Sequence, residues 1–92
     1  MPYCLPHEGR VASQDKFRDE YRSLIDQLVA ERKSRALTQW DVARAMRTDQ
    51  SQVSKLERGE RRVDIIDFVR YCRAIGIQPG KWLEKAIRAA AL

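Results

Sequence analysis

Apolar residues recur along this chain at helical spacing, and short polar or glycine-containing stretches interrupt the recurrence. From a start at Ser13 or Asp15, the residues Phe17, Tyr21, Leu24, Ile25, Leu28 and Val29 follow at steps of 4, 3, 1, 3 and 1. That is a single stripe on one helix face. Thr38 suits the N-cap of a second, shorter helix, with Asp41 near a capping-box position. Val42, Ala43 and Met46 make its apolar face, and Trp40 stands at the edge. Arg47, Thr48 and Asp49 break the pattern, and Asp49 suits another N-cap. Val53 and Leu56 are the buried positions of a third helix, which Gly59 stops in a left-handed conformation. Asp64 caps a fourth helix whose buried face reads Ile65, Phe68, Val69, Cys72 and Ile75, with Gly76 at its end. Tyr71 falls off that face and either lines an interface or is exposed. Pro79 suits the first position of a last helix, which runs to about Ala90. Trp82, Leu83, Ala86, Ile87 and Ala90 share one side of it. Some of these complete the core, and the rest are free for a two-fold interface.

The pattern predicts an all-α chain, a compact bundle of about five helices. Residues 1–12, with Pro2, Pro6 and Gly9, read as a flexible arm. Residues 13–92 read as the folded domain, organised around a helix-turn-helix motif at 38–58.

The third helix carries the candidate chemistry. With Val53 and Leu56 turned inward, Gln50, Ser51, Ser54, Lys55 and Arg58 are left for something outside. A glutamine amide matches the N7 and N6 edge of adenine, a lysine donates to guanine O6 and N7, and serine serves either role. A short helix with such residues near its N-terminus has the form of a reader of the DNA major groove.

The stretches LTQWDVARAM, DQSQVSKLERGERR and DFVRYCRAIGI resemble the Xre or Cro/repressor class of helix-turn-helix proteins. The resemblance runs without gaps from about Leu24 to Ile77, and the run from Ser54 to Gly59 is its most diagnostic part. It implies a lambda-repressor-like DNA-binding domain. Gln39 matches a glutamine that bonds a phosphate and braces the first reading glutamine, which is Gln50. Ser51 and Lys55 match base-contacting positions, and Gln52 a base or phosphate position. Arg58 matches a phosphate contact, Arg61 and Arg62 extend that clamp, and Ser54 is grouped with them. Glu57 matches a common acid of the family, expected in a structural bond or salt bridge and not at a base. Val63 stands where the family often has proline. The chain departs from the family at Arg47, where the turn usually has glycine. A left-handed arginine there costs roughly 1 kcal/mol, and Arg47 is a candidate phosphate contact instead.

Charge supports this reading. Residues 1–43 hold seven basic and seven acidic residues, whereas 44–92 hold eleven and six, so the whole net charge of +5 begins at the motif. A basic excess placed on the motif is the footprint of a nucleic-acid binder. Arg32, Lys33 and Arg35 suit the C-terminal dipole of the first helix or a DNA contact.

The sequence also excludes functions. There is one histidine, His7, no serine or cysteine with a neighbouring base, and no phosphate-binding glycine loop, so no catalytic constellation is present. Cys4 and His7 have the spacing of a metal-ligand pair but no further ligands, so no metal or cofactor is expected. The two cysteines, Cys4 and Cys72, suggest reduced thiols in a cytoplasmic protein. No membrane span or secretory leader is expected.

These readings converge on a transcriptional regulator of double-stranded DNA, foremost a repressor binding an inverted-repeat operator as a homodimer. Tyr71, Trp82 and Ile87 are the candidates for the dimer interface. Two alternatives remain, an antitoxin-type regulator that also grips a toxin or other protein partner, and an interaction module that has lost DNA binding.

Overall fold

The computed structural model describes the backbone of residues 7–90 and the side chains of residues 19–90. Five helices and no strand occur among the described residues: α1 (His7–Ser34), α2 (Gln39–Met46), α3 (Gln50–Arg58), α4 (Ile65–Ile75) and α5 (Pro79–Ala89).

The caps follow from local chemistry. Thr38 and Asp41 form a reciprocal capping box, in which the Asp41 amide donates to Thr38 Oγ1 at 3.1 Å and the Thr38 amide donates to Asp41 Oδ2 at 2.9 Å. Those bonds to Thr38 hold the Asp41 carboxyl below its ordinary range. Asp64 accepts from the Asp67 amide at 2.7 Å, and Gln78 from the Lys81 amide at 2.7 Å just ahead of Pro79. Asp49 is the N-cap of α3 by position, but its side chain makes no cap bond. Gly59 and Gly76 are both left-handed and close α3 and α4.

Every helix contributes to one core. Ile25 and Leu28 come from α1, Val42, Ala43 and Met46 from α2, Val53 and Leu56 from α3, Tyr71, Cys72 and Ile75 from α4, and Ala86 from α5. Val63, Phe68 and Trp82 pack against it, half-buried. Burial pushes the Cys72 thiol up to about 11.

Two expectations need correction, the start of the first helix and the facing of the fourth. The first helix begins at His7, so residues 7–12 are helical and not an irregular arm. Gly9 lowers helix propensity by about 1 kcal/mol but does not stop a helix. The helix spacing in α4 also allowed two settings. The observed one buries Tyr71 completely and leaves Ile65 77% exposed. A tyrosine is tolerated inside because its hydroxyl finds a carboxylate there. Tyr71 is therefore a core residue and is withdrawn as an interface candidate. Residues 1–6, including Cys4, and the side chains of His7 and Phe17 lie outside what is described.

Candidate nucleic-acid interface

The two motif helices are joined through a left-handed residue, Arg47, at φ 59 and ψ 48. The Thr48 amide reaches back to the Ala43 carbonyl at 2.9 Å, which closes the α2 terminus. The chain turns sharply enough for α3 to start at Gln50. Arginine fills a conformation that glycine adopts more readily, at a cost of about 1 kcal/mol.

α3 is held from beneath by a buried ion pair. Arg32 and Glu57 are each only 7% exposed. Arg32 Nε donates to Glu57 Oε2 at 2.8 Å and Arg32 Nη2 to Oε1 at 3.0 Å. Tyr71 Oη donates to Oε2 at 2.6 Å and Gln39 Nε2 to Oε1 at 2.9 Å. Burial alone would raise the Glu57 pKa, but these bonds outweigh it, so the carboxyl sits below its usual range. The same cluster holds the Arg32 guanidinium charged against its own desolvation. Burial and the neighbouring Glu57 push the Tyr71 phenol upward. The third guanidinium nitrogen of Arg32 donates to the Leu37 carbonyl at 2.7 Å and so fixes the chain entering α2.

This cluster reaches the outer face. Gln50 Nε2 donates to Gln39 Oε1 at 2.6 Å. The carboxylate can only accept, so Gln39 must turn its NH2 inward and its carbonyl toward Gln50. Gln50 must answer with its NH2. Its carbonyl and second N–H are left for a partner outside, which is the pairing that an adenine edge requires.

A second support lies at the C-terminal end of α3. Arg22 Nη2 donates to the Glu57 carbonyl, and Arg22 is itself bonded to Asp26 at 3.0 Å. Its guanidinium occupies the space beside Gly59, where an added Cβ would lie 2.7 Å from it. A cation at this terminus also suits the helix dipole. Nothing in the sequence spacing signals this contact, which joins residues 35 apart.

The positions expected to read bases divide by exposure. Ser51 and Lys55 are exposed, while Gln50 and Gln52 are half-buried. The expected phosphate contacts are more heterogeneous. Arg58 is exposed but bonded to Glu60 at 2.8 Å and to the Ser54 hydroxyl. Arg61 pairs with Asp67 at 2.9 Å. Arg62 is exposed, its guanidinium 6.0 Å from the Tyr21 ring centroid, and Arg47 is exposed at the turn. Arg70, not singled out from the sequence, lines one hollow with Arg47, Arg61 and Gln52 beside α3. Its position on α4 gave no sign that it would converge with residues of the turn.

The arrangement is a small bundle presenting a polar helix with basic residues at its flanks. A helix-turn-helix family model matches residues 28–82. The solved structure of an XRE-family like protein from Pseudomonas syringae pv. tomato str. DC3000 is 36% identical, with 85% of this chain and 95% of that one covered and a TM-score of 0.80. The chain belongs to the XRE family of helix-turn-helix proteins. The clp gene regulator ClgR from C. glutamicum is also similar, at 27% identity and a TM-score of 0.67, over 79% of this chain and 95% of that one. No curated protein matches. For this XRE-family chain the family and its structural neighbours support a DNA-binding transcriptional regulator. No described helix is long and apolar enough to cross a membrane.

Proposed function

We propose that this XRE-family chain is a repressor that binds an inverted-repeat operator as a homodimer, with α3 of each copy in successive major grooves. Gln50, Ser51, Gln52 and Lys55 contact base edges. Gln39, Arg47, Ser54, Arg58, Arg61 and Arg62 contact the phosphates. The observation that carries this reading is the bonded series from Glu57 through Gln39 to Gln50. It orients a reading amide before any ligand arrives. Preorganisation of this kind reduces the side-chain ordering that binding must otherwise supply.

The ion pairs of Arg58 and Arg61 do not count against a phosphate role. The Arg58–Glu60 pair is exposed and contributes little, the Arg61–Asp67 pair is partly buried on its acidic side, and a phosphate oxygen competes well for either guanidinium. Trp82 and Ile87 on α5 are half-buried and remain the candidates for the two-fold contact. Occupancy of a promoter would then block transcription.

The test is selection of bound duplexes from a random pool, combined with the protein's mass in solution. The expected product is an inverted repeat with half-site centres about 34–36 Å apart, bound by a dimer. Failure to enrich any sequence would favour an interaction module that keeps the fold without reading DNA.

A further inference from the structure

Trp40 is 65% exposed in the first turn of α2, near the start of the motif. The core does not need it, since Val42, Ala43 and Met46 are the α2 residues that fill the interior. Ala43, one turn further on, is buried in the core, so Trp40 lies on the same strip of the helix but at its exposed end. Trp40 lines a hollow together with Ala43, Arg44, Thr48, Asp49, Gln50 and Ser51. The residues placed to meet base edges and this large flat apolar surface therefore share one concavity. Trp40 is thereby adjacent to Gln50 and Ser51 on the face where a duplex would meet them.

We propose that Trp40 is a further DNA-contacting residue. Its indole covers the apolar rim of the major groove, the thymine 5-methyl and adjoining deoxyribose carbons, beside the bases that Gln50 and Ser51 meet. The inference rests on the functional reading above and adds to it a contact that carries no charge. A thymine methyl is the one apolar group that the major groove displays, and apolar side chains recognise it. Such a contact adds sequence preference without releasing counterions, so it differs in its salt behaviour from every arginine in the interface.

The test uses the full chain and a duplex selected for tight binding, with Trp40→Ala and Trp40→Phe compared with the parent at several salt concentrations. Melting followed by circular dichroism checks that each variant is folded. Trp40→Ala is expected to bind about tenfold more weakly, with Trp40→Phe in between. The slope of log affinity against log salt should stay that of the parent. Replacing thymine by uracil at one position of each half-site should weaken the parent and leave Trp40→Ala unaffected. Parent-like affinity of Trp40→Ala would overturn the contact, and so would a uracil penalty that persists in that variant. If the parent itself shows no salt-sensitive binding to any duplex, the functional reading fails as well, an outcome distinct from a parent that binds while Trp40→Ala matches it.

Discussion

Gln39 and Gln50 lie 11 positions apart in sequence, on different helices, and are joined by a 2.6 Å hydrogen bond. Gln39 is in turn fixed by the buried carboxylate of Glu57. The donor and acceptor ends of Gln50 are thereby set from inside the protein. Replacing Gln39 by alanine is expected to leave Gln50 free to invert. Discrimination at its base pair should fall by part of the roughly 1–3 kcal/mol that a bidentate contact provides. Gln50→Ala should remove that discrimination altogether. Binding to duplexes varied at each half-site position measures this; the phosphate contact of Gln39 adds a uniform loss to its own variant, whereas a Gln50→Ala loss spread evenly over all positions would contradict the assignment.

Glu57 also predicts an acid limb in the stability curve. Its folded pKa is depressed, so it contributes stability that is fully present above the unfolded carboxyl value of about 4.3. That contribution is lost as pH falls through the lower folded value. Thermal melting should therefore show little pH dependence from this group near neutrality and a decline that begins below about 4.3. Glu57→Gln should be less stable at pH 7, and the gap to the parent should narrow as pH falls through the acid range. Removing one partner of a buried pair costs about 3–5 kcal/mol, so Arg32→Ala is expected to be among the most damaging substitutions in the chain.

The turn gives a prediction of opposite sign. Arg47 holds φ 59, a conformation glycine adopts without the steric penalty of a Cβ. Arg47→Gly is expected to raise stability by up to about 1 kcal/mol. If Arg47 also meets a phosphate, the same variant binds every sequence more weakly and its salt slope falls by about 0.9. Denaturant unfolding and salt-dependent titration separate the two effects.

Arg62 is exposed, with its guanidinium over the Tyr21 ring. Arg62→Ala should lower affinity for selected and unrelated duplexes alike and reduce the salt slope by about 0.9. A loss confined to the selected duplex would move Arg62 from the backbone clamp to the reading set.

Much of the architecture was legible because the punctuation is local. Thr38, Asp64, Gly59, Gly76 and Pro79 mark helix ends through chemistry that reaches no further than one turn, and each stands where the structure uses it. The facing of α4 was not legible. Helix spacing permits Ile65 or Tyr71 inward, and the choice depends on Glu57, 14 residues before Tyr71 on another helix. Arg32 likewise looked equally suited to a dipole or a phosphate, because its partner lies 25 residues away. Pairings of this kind leave no periodic trace in sequence. The polar face of α3 was visible, and the resemblance implied that Gln39 braces Gln50, but the half-burial of Gln50 and the bond from Gln39 to Glu57 became visible only once α2 and α3 were placed together.

In the proposed function the exposed side of α3 distinguishes one DNA sequence from another. The most direct measurement is the ratio of affinities for a selected and a scrambled duplex, taken for the parent and for a chain carrying Ser51→Ala and Lys55→Ala together. The ratio is expected to drop by about tenfold or more, while affinity for the scrambled duplex falls only by the loss of one positive charge. An unchanged ratio would contradict the account, because these two side chains would then read nothing.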